Sequence, residues 1–116
     1  MQFLVNVVDS GEAAAAGRTD SATAAERDAV SALNERLLAD GRILFAGGLT
    51  APDEALVVDA RSDGEPEVSS GSLFVGDEYV AGFWVLDLPD AETARAVATE
   101  ASVACNRKIE LRLLLG

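Results

Sequence analysis

Residues 69–87 read SSGSLFVGDEYVAGFWVLD. The first half is small, polar and glycine-bearing, and from Tyr79 onward the residues are β-branched and aromatic. That change marks a loop feeding a strand, and the strand is the strongest in the chain. It places Val80, Trp84, Leu86 and Leu88 on one side and Ala81, Phe83 and Val85 on the other. A strand that is apolar on both sides belongs inside a sheet with something packed on each face.

Outward from this strand the pattern is regular. Downstream, Pro89-Asp90 opens a helix with Asp90 as its cap. Its inner stripe, Ala94, Val97, Ala98 and Ala101, is small enough to lie close to a sheet. KIELRLLL (108–115) closes the chain as a strand. Upstream, EALVVDAR (54–61) is a strand, SDGE (62–65) a turn with Asp63-Gly64 suited to a hairpin, and EPEVSS (65–70) a short edge arm containing Pro66. RILFAGGL (42–49) is another strand. Thr23 and Glu26 form a capping box for a helix that runs to about Asp40 and stops at Gly41. Its stripe is Val30, Leu33, Leu37 and Leu38. MQFLVNVV (1–8) is the first strand, with Phe3, Val5 and Val7 on one face and Leu4, Asn6 and Val8 on the other. The loop DSGEAAAAGRTDSA (9–22) has room only for a short helical turn at its alanines, between Gly11 and Gly17.

The order is strand, helix, strand, strand, short arm, strand, helix, strand. Two helices, each between strands, match a ferredoxin-like α+β layout: one antiparallel sheet with both helices on one face, in a single domain over residues 1–116. Two helices cover one face of such a sheet and leave the other apolar, so the chain is expected to be a homodimer packed sheet to sheet. The competing reading is that residues 9–20 fold over that face.

Composition narrows the function. Of 116 residues, 49% are hydrophobic, and 9 basic residues stand against 20 acidic ones, a formal net charge of −11. Such a surface repels phosphate backbones and anionic lipid, so neither nucleic acid nor membrane is expected as a partner. One cysteine permits no internal disulfide, and no apolar run approaches the length of a span. Without a basic, apolar leader the expected location is cytoplasmic. The chain has no histidine, which removes His-based triads and zinc sites of ordinary type, and no cofactor or metal is implied. Gly47 and Gly48 lack the spacing and following helix of a phosphate-binding loop.

The candidate site residues are then few. Cys105, near Arg107 and Lys108, is either an activated thiol or an incidental loop cysteine, and no base or resolving cysteine supports the former. Asp77 and Glu78 read first as a solvated loop, since neighbours on an extended chain face opposite ways. Ser70, Ser72, Phe74 and Glu78 border a turn-rich loop at the edge of a cavity, where small residues leave room for a ligand. Trp84 either lines a pocket or packs in the core. Asn6, Glu110 and Arg112 are polar positions inside apolar strands: Glu110 and Arg112 either pair in a cavity or lie on an exposed face.

The run of elements and phrases resembles the YCII-related superfamily, and within it the branch named for an Asp-Gly-Pro-Phe motif. The resemblance spans nearly the whole chain: Gly47-Gly48-Leu49 with Pro52, the Asp63-Gly64 turn, and Gly82-Phe83 in the strong strand. In the naming motif Gly71 is kept, whereas Ser70 stands for the aspartate, Ser72 for the proline, and Leu73 or Phe74 for the phenylalanine. Glu78 lies where the branch has an acidic residue. The resemblance implies a small dimeric α+β barrel. The histidine–aspartate pair attributed to some members has no counterpart here. The resulting expectation is a homodimer that binds a small molecule or acts as an interaction module. The alternative is a lyase- or isomerase-like enzyme using carboxylates.

Overall fold

In the computed structural model, which describes residues 1–15, 17 and 22–116, the chain runs β1 (Gln2–Asp9), α1 (Glu12–Ala15), α2 (Ala24–Ala39), β2 (Ile43–Gly48), a 3-10 turn (Pro52–Glu54), β3 (Leu56–Asp59), β4 (Glu67–Ser70), β5 (Tyr79–Asp87), α3 (Ala91–Cys105) and β6 (Lys108–Leu113). Four strands form one antiparallel sheet in the order β2-β5-β1-β6, with α2 and α3 packed on it. This is the ferredoxin-like α+β arrangement. The helices form as their caps dictate. Thr23 and Glu26 close a reciprocal capping box on α2, and the Asp90 carboxylate accepts from the Thr93 N–H at 2.7 Å at the start of α3.

The core lies between the sheet and the helices. Phe3 and Val5 of β1 and Trp84 and Leu86 of β5 meet Leu33 and Leu37 of α2, while Ala94, Val97 and Ala101 let α3 lie close. Leu38 does not join this stripe: it is 61% exposed, and α2 buries only Leu33 and Leu37 fully. One residue further round the helix turns it by about 100°, enough to leave the contact.

Two further expectations are corrected. β3 and β4 do not extend the main sheet but pair with each other as a separate two-stranded ladder, Val58 opposite Val68 and Leu56 opposite Ser70. The hairpin stands away from the body. The radius of gyration is 16.1 Å, against roughly 13 Å for a compact domain of this size. Val80 also changes face. The β1–β5 register slips between Val7 and Val8, so that Val7 faces Gly82 and Val8 faces Val80, with Ala81 left unpaired in a bulge. Val80 therefore shares the side of Val8, away from the helices.

That far side of the sheet carries Leu4, Phe45, Phe83 and Val85, with the Phe45 and Phe83 rings stacked at a centroid separation of 5.9 Å. The smallest extent of the molecule, 19 Å, is that of one sheet with one helical layer. Of the N-terminal loop proposed as a cover, residues 16 and 18–20 lie outside the described residues.

Candidate functional site

A cleft of about 430 Å³ opens between α2 and the β2–β5 edge of the sheet. Its floor follows from the register. Ala46 faces Trp84 and Gly48 faces Gly82, and each pair shares the helix-facing side. At Ala46, Gly48 and Gly82 no side chain is larger than a methyl, so α2 spans the floor without filling it. Gly82 is also needed for the strands to meet: a Cβ there would lie 3.1 Å from the Gly47 carbonyl oxygen. Gly82→Ala is expected to cost about 1–2 kcal/mol by overpacking, read from a denaturant midpoint, whereas Gly48→Ala, whose Cβ would meet the Ala81 carbonyl oxygen at 3.9 Å, should be nearly neutral.

The wall opposite the floor is Val30 and Asn34 of α2. The Trp84 indole N–H donates to Asn34 Oδ1 at 2.7 Å and ties the helix to the sheet beside the cleft. At the other end stand Glu26 and Arg107. Arg107 is placed by the turn that ends α3: Asn106 sits at φ 53° as the left-handed cap and redirects the chain into β6. The guanidinium, only 3% exposed, donates from Nη1 to Glu26 Oε2 at 3.2 Å and to the carbonyl oxygens of Asn106 and Cys105 at 3.0 and 3.3 Å; its Nε lies 3.7 Å from Glu12 Oε2. One cation thus clasps the starts of α1 and α2.

The Thr23 backbone N–H, with Arg107 beside it, holds the Glu26 carboxyl below the usual carboxylate range. Behind this network Asp9, fully buried, accepts from the backbone N–H of Gly11 and Ala13 at 2.7 and 3.3 Å. Burial, followed by the neighbouring Asp9 carboxylate, raises the Tyr79 phenol. Cys105 is the last residue of α3 rather than a loop residue; burial pushes its thiol up to about 11, so it lines the cleft as an uncharged, inert group.

Of the residues singled out from sequence, Trp84 lines this cleft. Asn6 and Arg112 project from the opposite side of the sheet, where Asn6 Nδ2 donates to Glu110 Oε1 at 3.3 Å and Glu110 and Arg112 are exposed. Ser70 ends β4 in the hairpin. Ser72 donates to the Phe74 carbonyl oxygen within an exposed turn, and Phe74 is 85% exposed. Glu78 pairs with Lys108 at 2.7 Å and accepts from Ser10 at 2.8 Å, which lowers its carboxyl; it borders a shallow depression with Val8, Val80 and Glu110. The sequence reading missed Glu26, Asn34 and Arg107. The capping box had already marked Glu26, and an arginine next to Asn106, a residue type suited to a left-handed helix cap, was the available signal for Arg107.

The YCII-related domain profile matches residues 1–112. The chain belongs to the YCII-related family. No match was found among curated proteins. Among the described residues of this YCII-related chain no helix is long and apolar enough to cross a membrane.

Proposed function

We propose that this YCII-related chain is a homodimeric small-molecule-binding protein of the Asp-Gly-Pro-Phe branch, with its ligand in the cleft between α2 and the β2–β5 edge. The observation that carries the reading is the cleft itself: its volume falls in the range of about 300–1,000 Å³ typical of small-molecule sites, its lining is mostly apolar, and a few polar groups converge on it. The branch assignment rests on Gly47-Gly48-Leu49, Pro52, Gly71 and Gly82-Phe83. Two of those glycines, Gly48 and Gly82, belong to the floor.

Binding is favoured over carboxylate catalysis by the state of Glu26. A general base works best with a pKa near the working pH. Glu26 is instead held low, with one oxygen committed to its own helix cap and the other to Arg107. The dimer is supported by the far side of the sheet, where Leu4, Phe45, Phe83 and Val85 form an apolar surface that no helix among the described residues covers.

Trp84 is the only tryptophan, so the protein has one indole N–H signal in a ¹H–¹⁵N spectrum. A library of neutral fragments is expected to contain members that shift this signal together with the amides of Gly47, Gly48 and Gly82. A library that leaves all four unmoved would overturn the binding reading.

A further inference from the structure

We propose that the ligand of this cleft is an uncharged, flat ring system carrying a hydrogen-bond acceptor that meets Asn34. The proposal rests on the small-molecule reading above and specifies the chemistry of that site.

The acceptor follows from Asn34. An indole N–H can only donate, so the atom of Asn34 that it meets at 2.7 Å is the carbonyl Oδ1, and the carboxamide is fixed in that orientation. This leaves Nδ2 as a donor on the cleft wall, with no acceptor among the described residues. A ligand bound against α2 gains by presenting an oxygen or nitrogen lone pair there and loses by presenting carbon, since the amide would be stripped of water and left unpaired.

The flat shape follows from the floor. Ala46, Gly48 and Gly82 present peptide planes and at most one methyl, and Ala46 and Gly48 remain exposed in the cleft. Val30 stands on the facing wall and the Trp84 ring closes the inner end. A plane laid on such a floor touches it over its whole area, whereas a bulky saturated ligand would touch it at few atoms.

The absence of charge follows from the far end. Arg107 meets Glu26 and Glu12, Arg27 at the mouth is not a free cation, and Cys105 is a neutral thiol. The Arg107 guanidinium is already committed to two carboxylates and is not available to an anionic ligand, and a chain of net charge −11 disfavours anions at longer range.

The test uses 9-fluorenone and fluorene, which share a tricyclic shape and differ in the carbonyl, together with the anion fluorene-9-carboxylate. Each is titrated into the full chain and followed at the Trp84 indole signal. Fluorenone is expected to bind roughly tenfold more tightly than fluorene, the size of one net hydrogen bond. Asn34→Asp keeps an acceptor for the indole but removes the donor, and should erase the preference for fluorenone over fluorene. Ala46→Leu fills the floor and should abolish binding of both, with the fold intact by circular dichroism. Equal binding of fluorene and fluorenone, or a preference that survives Asn34→Asp, overturns the acceptor while leaving the cleft a binding site. Tighter binding of the carboxylate overturns the uncharged class. If none of the three moves the indole signal while other fragments do, the ring-system class falls and the binding reading stands.

Discussion

Arg107→Ala is expected to destabilise the protein by about 2–3 kcal/mol, read as a fall in denaturant midpoint at neutral pH. The replacement removes a cation that is almost wholly enclosed and leaves Glu26 and Glu12 facing each other's charge without it. Breaking a fully buried ion pair from one side costs roughly 3–5 kcal/mol. The expected loss is smaller because Glu26 and Glu12 both keep some contact with water. Arg107→Met retains the apolar stem and removes the charge and its hydrogen bonds, so it should fall between the parent and Arg107→Ala, and Arg107→Met with Glu26→Gln should recover part of the loss. Acid titration separates charge from packing. The Glu26 carboxyl is lowered in the folded chain, so its contribution is fully present above the ordinary value of 4.5 and is lost as the pH falls through its folded value. Arg107→Met should flatten that acid-side decline only in part, because the larger cause, the Thr23 N–H, remains. An Arg107→Ala variant as stable as the parent would show that the clasp contributes nothing.

The same residues show what a sequence can and cannot reveal. The four strands and two long helices were legible because each signal is local: the Thr23–Glu26 box, the Asp90 cap, alternation in β1, and the stop at Gly41, which sits at φ 69°. The hairpin turn was legible too, but not that β3 and β4 leave the main sheet, since strand pairing is decided by contacts distant along the chain. Val80 was placed on the wrong face because parity along a strand assumes no bulge, and the slip at Val7/Val8 breaks it. The cleft was nearly invisible. It exists because Ala46, Gly48 and Gly82, thirty-odd residues apart, come into register across two strands beneath Asn34. Each alone reads as an ordinary small residue. Trp84, read as either pocket-lining or core, is a core residue that also borders the cleft, whereas Asn6 and Arg112, read as polar residues in apolar strands, project from the other side of the sheet.

That other side carries the second large effect, Val85→Asp, which is expected to convert the proposed dimer to a monomer. Val85 stands between Leu4 of β1 and Phe45 of β2, at the middle of the apolar surface on the side of the sheet away from the helices. In a single chain an aspartate at this position would face water beside apolar neighbours, so the helical side of the sheet, with Phe3, Trp84 and Leu86, should pack unchanged. In a face-to-face dimer it would be enclosed without a partner, and a two-fold axis would bring a second copy of the same charge to the opposing sheet. Burying an uncompensated charge costs roughly 3–5 kcal/mol, which corresponds to a weakening of dimerisation by about two to four orders of magnitude for each copy buried. Light scattering coupled to size exclusion reads the outcome directly: the parent chain is expected at twice the monomer mass of 12.0 kDa, and Val85→Asp at that mass. Val103→Asp, on an exposed position of α3, should stay dimeric and controls for added charge alone. A parent chain that runs as a monomer at micromolar concentration would remove the dimer altogether. A Val85→Asp chain that remains dimeric would move the interface off this face, and the exposed hairpin residues Leu56, Val58 and Val68 would then be the next apolar surface to test.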